Sequence, residues 1–266
     1  MSNGPLIEPT TYQRLTLEKR FKLPANQRKF TWAKDQAEEF INDIIDHTED
    51  SDSAQKSLFL GNIISLSDES NYMHDLYDGQ QRFTSISLLL IALRVVCDEK
   101  GLSDAAAGAN KLLKSVDVAG DGGELFFTAN KNIQPVIEQA ADRYWKSVAD
   151  FTNPPEINYW RYYKDRFNKA YNPIYDSIKD FDEERIKRIL KCVGGLQFVH
   201  IIPKDVQEAL DMFEKVNSRG VPLGPSDLLK NFLFREGTRN IEDSWSKIED
   251  SAGSTLVKCI RFFYIS

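Results

Sequence analysis

A chain of 266 residues with 41% apolar and 28% charged residues has an ordinary globular composition, long enough for a substantial core in one large domain or two of usual size. Its net charge of −6 argues against a protein that coats nucleic acid through bulk electrostatics. The longest apolar run, Leu88 to Leu93, is far too short to cross a bilayer, and residues 1–10 carry neither the basic nor the apolar region of a signal peptide. Cys97, Cys192 and Cys259 are widely spaced and form no CxxC, so a cytoplasmic protein with no disulfide framework and no zinc site is expected.

Residues 11–24 alternate in part between apolar and polar side chains and end at Pro24, a pattern of extended structure. Pro24 to Trp32 is polar and reads as a loop, with Thr31 as the N-cap of a helix. In that helix Ala37, Phe40, Ile41, Ile44 and Ile45 recur at helical spacing. Charge is divided around this junction: Arg14 to Lys34 carries seven basic residues against the single acid Glu18, and Asp35 to Asp52 carries eight acids and no base. A basic arm before an acidic helix could seat a phosphate, but a solvated face is the commoner explanation of a charge run. Asp46 to Lys56 is an acidic, polar loop by composition.

Ser57 to Leu66 reads as a buried strand in which Gly61 marks a bulge or a close backbone approach. Turn residues Asp68 to Asn71 and a second strand, Tyr72 to Tyr77, complete a hairpin. Asp78-Gly79-Gln80-Gln81-Arg82 then falls at a strand-to-helix junction, where backbone N–H groups and the helix dipole favour anions. The helix beyond it, with Phe83, Ile86, Leu88, Leu89, Leu90, Ile91, Leu93 and Val95, is apolar on most sides and should lie at the centre of the core.

Past residue 100 a short helix, the turn Gly120 to Gly123 and a strand-like Leu125-Phe126-Phe127 lead into helical periodicity. Ile133, Val136, Ile137, Ala140 and Tyr144 form one such face; further helices cover Tyr159 to Ile178 and Glu183 to Val193, the latter ended by Gly194-Gly195. Leu196 to Ile202 is a strand. Asp205 with Glu208 opens a helix whose face is Ala209, Leu210, Met212, Phe213 and Val216, and Gly220 caps it. A last helix, Ser226 to Phe234, should bury Leu228, Leu229, Phe232 and Leu233, and Leu256 to Ser266 is still apolar at the terminus, as if cut from a longer chain or docked on a partner. The class expected is α+β: a mixed α/β nucleotide-binding part over residues 1–100, then a mainly helical part over 101–266.

Two polar clusters interrupt apolar surroundings. In the first, Asp78 could hold a metal ion or water, Arg82 a phosphate, and Gln80 and Gln81 a base or sugar; equally, Asp78 could cap the helix while Arg82 pairs with an acid. In the second, Asn217, Ser218, Arg219 and Gly220 could simply end a helix, and Asp227 and Lys230 could form a surface pair. The chain has no P-loop, HExxH or GxSxG motif, and its three histidines, His47, His74 and His200, are too scattered for a His-based triad; packing or surface roles fit them better.

The ordered set Gln27-Arg28, Trp32, Phe40-Ile41-x-Asp43-Ile44, Phe59-Leu60-Gly61-x-Ile63, Asp78-Gly79-Gln80-Gln81-Arg82-x-Thr84, Phe213-x-x-x-Asn217-Ser218-Arg219-Gly220 and Asp227-Leu228-Leu229-Lys230 resembles the GmrSD-type N-terminal domain, a group related to the ParB and sulfiredoxin nucleotidase fold. That resemblance implies a ParB/sulfiredoxin-like domain that binds and hydrolyses a nucleoside triphosphate with Mg²⁺, in bacterial defence against phage or modified DNA. By the same resemblance Asp78, Gln81 and Arg82 would be catalytic, with Asp78 the metal ligand. Gln27, Arg28, Gly79, Gln80 and Thr84 would bind nucleotide, and Asn217, Arg219, Asp227 and Lys230 would form a secondary motif. The expected partners are the nucleotide, an HNH-type nuclease domain or subunit, and DNA reached through a larger complex; self-association is left open, and no membrane is involved. No HNH segment occurs in this chain, so DNA cleavage by the chain alone is not expected. The alternative is a non-catalytic module that binds DNA or nucleotide as a switch and docks the nuclease.

Overall fold

In the computed structural model, residues 4–24, 27, 30–50, 57–67, 72–114, 125–128 and 157–217 are described, together with Ser226, Leu229, Lys230, Phe232, Leu233, Trp245, Lys247, Ile248 and Ser251. Six strands, β1 (Leu6–Thr11), β2 (Arg20–Lys22), β3 (Phe59–Ser67), β4 (Met73–Asp78), β5 (Phe127–Thr128) and β6 (Gln197–Ile202), form one mixed sheet in the order β1-β6-β3-β4-β2-β5. Seven helices accompany them among the described residues: α1 (Tyr12–Glu18), α2 (Lys34–Glu49), α3 (Gln80–Lys100), α4 (Ser103–Leu113), α5 (Ile157–Ile178), α6 (Glu183–Gly195) and α7 (Val206–Asn217). The protein is thus α+β, as expected.

Strand β6, nearly 200 residues into the chain, lies between β1 and β3, antiparallel to the first and parallel to the second. The change of composition near residue 100 is therefore a change in sequence pattern, while the sheet draws strands from both sides of it. β3 and β4 form the expected antiparallel hairpin. The main core fills one face of the sheet with residues of α1 to α6; on the other, a smaller cluster packs α7 through Ala209 and Leu210 against Ile64 and Tyr77. Every residue of α3 from Phe83 to Cys97 is buried, which is why its sequence shows no polar face.

Phe83, in the first turn of α3, is the hub that fixes this helix to the sheet. Its ring meets Phe21 at 5.3 Å, Phe126 at 5.4 Å, Phe127 at 5.7 Å, Phe198 at 5.8 Å and Tyr12 at 6.1 Å between centroids, mostly edge-to-face. The residue directly after the Asp78–Arg82 turn thus ties strands from across the sheet to the start of α3.

Several local expectations are corrected. Residues 11–24 are not extended throughout. The Thr11 side chain accepts from the Arg14 N–H at 3.3 Å and opens α1, whose buried Tyr12, Leu15 and Thr16 follow an i, i+3, i+4 spacing that a partial alternation hides. The cap of α2 is Ala33, not Thr31, because Gln36 Oε1 accepts from the Ala33 N–H at 3.1 Å and the Thr31 N–H is used elsewhere. The segment taken as a loop from Asp46 is helical to Glu49, with the rest of it, residues 51–56, outside the described set. In the last helical stretch Phe232 is 54% exposed and Leu229 and Leu233 are half-buried, so the expected burial of these three does not occur; Leu228 lies outside the described residues. The helix placed around Ile133 to Tyr144, the turns at 68–71 and 120–123, and the apolar stretch 256–266 also lie outside them. The capping pattern of α7 holds in a modified form: Asp205 Oδ1 accepts from the Glu208 N–H at 2.8 Å, while the Glu208 carboxylate reaches back to the Lys204 N–H at 2.8 Å.

Candidate functional site at the start of α3

The turn from β4 into α3 is built on two glycines. Gly79, the N-cap of α3, has φ +108°, and a Cβ there would stand 2.7 Å from Ile63 Cγ2, so backbone conformation and space both require glycine. Gly61 on β3 has φ +111° at a register shift against β6, and a Cβ there would stand 2.2 Å from Arg82 Nη1. The guanidinium lies over the bare backbone, where Nη1 donates to the Leu60 carbonyl at 3.1 Å and Nη2 to Asp78 Oδ2 at 2.9 Å. Asp78 is the last residue of β4, just past a second register shift, and does not cap α3. Asp78 and Arg82 therefore staple β3, β4 and α3 together, and any phosphate approaching Arg82 would share it with Asp78.

The two glutamines of the turn do different work. Gln81 turns toward the preceding loop: its Oε1 accepts from the Thr31 N–H at 2.9 Å, the Trp32 N–H at 3.2 Å and the Thr31 hydroxyl at 3.4 Å. One side-chain oxygen thereby seats the loop before α2 on the first turn of α3. Gln80 is 4% exposed, and neither its Nε2 nor its Oε1 has a hydrogen-bond partner. Thr84, one turn further on the same side of the helix and fully buried, leaves its Oγ1 equally without a partner, as does its neighbour Ser85. Ser87 shows what a buried helical hydroxyl ordinarily does, donating to the Phe83 carbonyl at 2.9 Å. Buried polar atoms without partners are costly, and of the ten among the described residues four lie on Gln80, Thr84 and Ser85 at the start of this one helix.

Gln27, the described residue of the Gln27-Arg28 pair, adds to this group. It is 2% exposed, its Nε2 has no hydrogen-bond partner, and its N–H donates to the Pro24 carbonyl at 3.0 Å. Its own carbonyl accepts from Lys230 Nζ at 3.1 Å. Lys230 is 4% exposed and so does not stand on the surface; Asp227, the partner considered for it, lies outside the described residues. The sequence carried a signal for this: a single lysine beside Leu228 and Leu229 in an apolar stretch. Of the other expected site residues, Arg28, Arg219 and Asp227 lie outside the described set, and Asn217 is the last residue of α7, its side chain likewise not described. Among the described residues no group of three or more His, Cys, Asp or Glu side chains is placed to hold a metal ion.

Sequence reading did not foresee the polar chain in the core. Ser65 Oγ lies 3.0 Å from His74 Nδ1 and 2.7 Å from His200 Nε2, with both rings buried. His200 Nδ1 lies 3.4 Å from Glu8 Oε1 in a geometry too poor for a proper hydrogen bond, and Lys19 Nζ lies 3.3 Å from that same oxygen. Burial pushes the His200 imidazole down to about 4, helped by the charges of Lys19 and His74 and opposed by Glu8. Burial alone would raise the Glu8 carboxyl, but Lys19 and then His200 outweigh it and hold the group below its ordinary value. These histidines are packing residues, as expected, and β6 brings His200 to Glu8 by direct cross-strand register.

Fold and site together define an α+β domain with a cluster of buried, partnerless polar groups at a strand-to-helix turn. The chain belongs to the family of the GmrSD restriction endonuclease N-terminal domain, whose model matches residues 12–234, which makes it a component of a restriction system. A search of curated proteins found none that matches. No helix of the described residues is long and apolar enough to cross a membrane.

Proposed function

We propose that this domain is the nucleotide-binding and nucleotide-hydrolysing regulatory module of a modification-dependent restriction system, on a ParB-like scaffold, acting on an HNH-type nuclease domain or subunit. The single observation that carries the reading is the set of partnerless buried groups on Gln27, Gln80 and Thr84. These residues were singled out as nucleotide-binding by resemblance to the family to which the chain belongs. Polar atoms already stripped of water and left without partners suit a ligand rich in donors and acceptors, such as a nucleotide. The first-turn backbone of α3, whose glycine cap brings no side-chain acceptor, adds favourable dipole for a phosphate, and Arg82 adds charge. With one carboxylate in the turn, Asp78 would hold Mg²⁺ that enters with the nucleotide, its remaining ligands being phosphate oxygens and water; bound there it would neutralise charge developing on the phosphates. Phosphate release from ATP, GTP, CTP and UTP by wild type, Asp78→Ala and Arg82→Ala tests this, and equal background rates for all three would sink the hydrolytic assignment.

One observation favours a second reading. Arg82 and Asp78 already satisfy one another at 2.9 Å, an arrangement suited to sensing a nucleotide without turning it over. Calorimetric binding without phosphate release would select this switch, with the nuclease as its output.

A further inference from the structure

The three motifs of the site are far apart in the chain, yet two of them grip the same short loop. Gln81, from the turn, holds the Thr31 and Trp32 amides; Lys230, from the secondary motif, holds the Gln27 carbonyl. Between these two grips the loop is anchored by the buried ring of Phe30, and it carries Arg28 and Lys29. Lys230 contacts Gln27 across 203 residues of sequence, and it does so from a buried position where an ammonium is kept only if its donors are well used. A chain that needed only to close a loop could use an apolar contact here; a donor aimed at one carbonyl instead sets the height and tilt of a single peptide unit.

Building on the nucleotide-site reading above, we propose that Lys230 is a positioning residue of that site: by holding the Gln27 carbonyl it sets the Gln27 side chain for the nucleotide. The helical stretch around Ser226 to Leu233 is thereby coupled to occupancy. Gln81 holds the other end of the loop from α3, so the first turn of α3 and Lys230 grip one element at its two ends. A ligand that orders the Gln27 side chain strengthens the Lys230 contact, and by reciprocity that contact strengthens the ligand.

The test uses the full chain with the Mg²⁺ complexes of ATP, GTP, CTP and UTP as probes, and compares wild type with Lys230→Met, which keeps the stem but removes the donor, and Lys230→Arg, which keeps donors and charge. Two quantities are read below the melting transition: nucleotide affinity by calorimetry, and the rate of trypsin cleavage after Arg28 and Lys29. The expected result is cleavage at least about tenfold faster in Lys230→Met, nucleotide affinity weakened about tenfold, and partial recovery of both in Lys230→Arg. A purely structural lysine would lower the melting temperature without a selective rise in cleavage at this loop and without rescue by arginine. Cleavage at the wild-type rate overturns the proposal, and so does faster cleavage with unchanged affinity. Should wild type bind none of the four, the nucleotide reading fails and the positioning role with it, while the cleavage rates still report separately whether Lys230 holds the loop. Should Lys230→Met lose its cooperative melt, Lys230→Gln, neutral but still a donor of shorter reach, is read for cleavage and affinity in its place.

Discussion

Gly61→Ala should destabilise the domain mainly by evicting Arg82, and a double-mutant cycle measures this directly. The new Cβ would lie 2.2 Å from Arg82 Nη1, a separation that cannot persist. The atom it meets is the end of a long side chain, so the guanidinium moves rather than the sheet. The cost then has two parts. Placing a non-glycine residue at φ +111° costs about 1–3 kcal/mol wherever it occurs. Losing the Arg82 hydrogen bonds to the Leu60 carbonyl at 3.1 Å and Asp78 at 2.9 Å adds about 1.5–3 kcal/mol, since a charged donor is involved and the pair is largely buried. In an Arg82→Ala background the second part is already gone, so Gly61→Ala should cost only the backbone term. The expected coupling is about 2 kcal/mol, seen as a urea-midpoint discrepancy of roughly 1 M at an m-value of ~2 kcal/mol/M. Gly101→Ala serves as the strain-only control, because its φ is +71° and a Cβ there meets nothing within 4 Å; it should cost the same in both backgrounds. Additivity of Gly61→Ala and Arg82→Ala to within about 0.5 kcal/mol would refute the reasoning.

Gln80→Leu, close in shape, removes two buried partnerless atoms and should raise the melting temperature, by about 1–3 kcal/mol of stability, while abolishing nucleotide binding; unchanged binding would remove Gln80 from the site. Gly79→Ala has no flexible neighbour to displace, since its Cβ would meet Ile63 Cγ2 at 2.7 Å, and should therefore cost at least 2 kcal/mol by backbone strain and clash in thermal melts, more than Gly101→Ala. Acidification should destabilise the fold between pH 6.5 and about 4. In that window the unfolded chain protonates His200 and the native chain, with its imidazole pushed down by burial, does not. The stability is fully present above pH 6.5 and falls by up to about 3 kcal/mol as pH drops through the window; the lowered Glu8 carboxyl adds a loss of the same sign at its acid end. Melting temperatures of wild type and His200→Gln across this range check it, the variant losing less; parallel curves would contradict the assignment.

What the sequence revealed and what it hid follow from how local each feature is. The α2 stripe, the hairpin with its bulging Gly61 and the apolar α3 are set by periodicity within one element and were readable. Helix α1 was not, because Tyr12, Leu15 and Thr16 mark its face in only two turns and the neighbouring strands blur it into alternation. Strand β6 was recognised as a strand, but its place between β1 and β3 depends on partners about 137 to 196 residues away and leaves no local mark. At the site, composition picked out the Asp78–Arg82 turn but could not say that Arg82 would lie over Gly61 or that Gln81 would bond the loop while Gln80 was buried without a partner. Those directions come from bulges and glycine dihedrals, which reorient side chains without altering the hydrophobic pattern. The burial of Lys230 was hidden for a related reason: a lysine three residues from an aspartate on a helix is usually solvated, and its contact with the Gln27 carbonyl comes from 203 residues away in the chain.

The arrangement has a consequence for how such a domain could transmit a signal. Gln80 and Gln81 are adjacent on one helix, the first buried without a partner and the second gripping the loop. Any ligand that satisfies Gln80 acts on the same first turn that Gln81 uses to hold Thr31 and Trp32, and through that loop on the Gln27 carbonyl and Lys230. The grips at the two ends of the loop are hydrogen bonds of 2.9 to 3.2 Å between groups that are buried or partly buried, so a small displacement is enough to strain either of them. Loss of either grip should therefore weaken the communication between ligand and the stretch around Lys230 more than it weakens the fold, since the aromatic cluster on Phe83 anchors α3 independently of both.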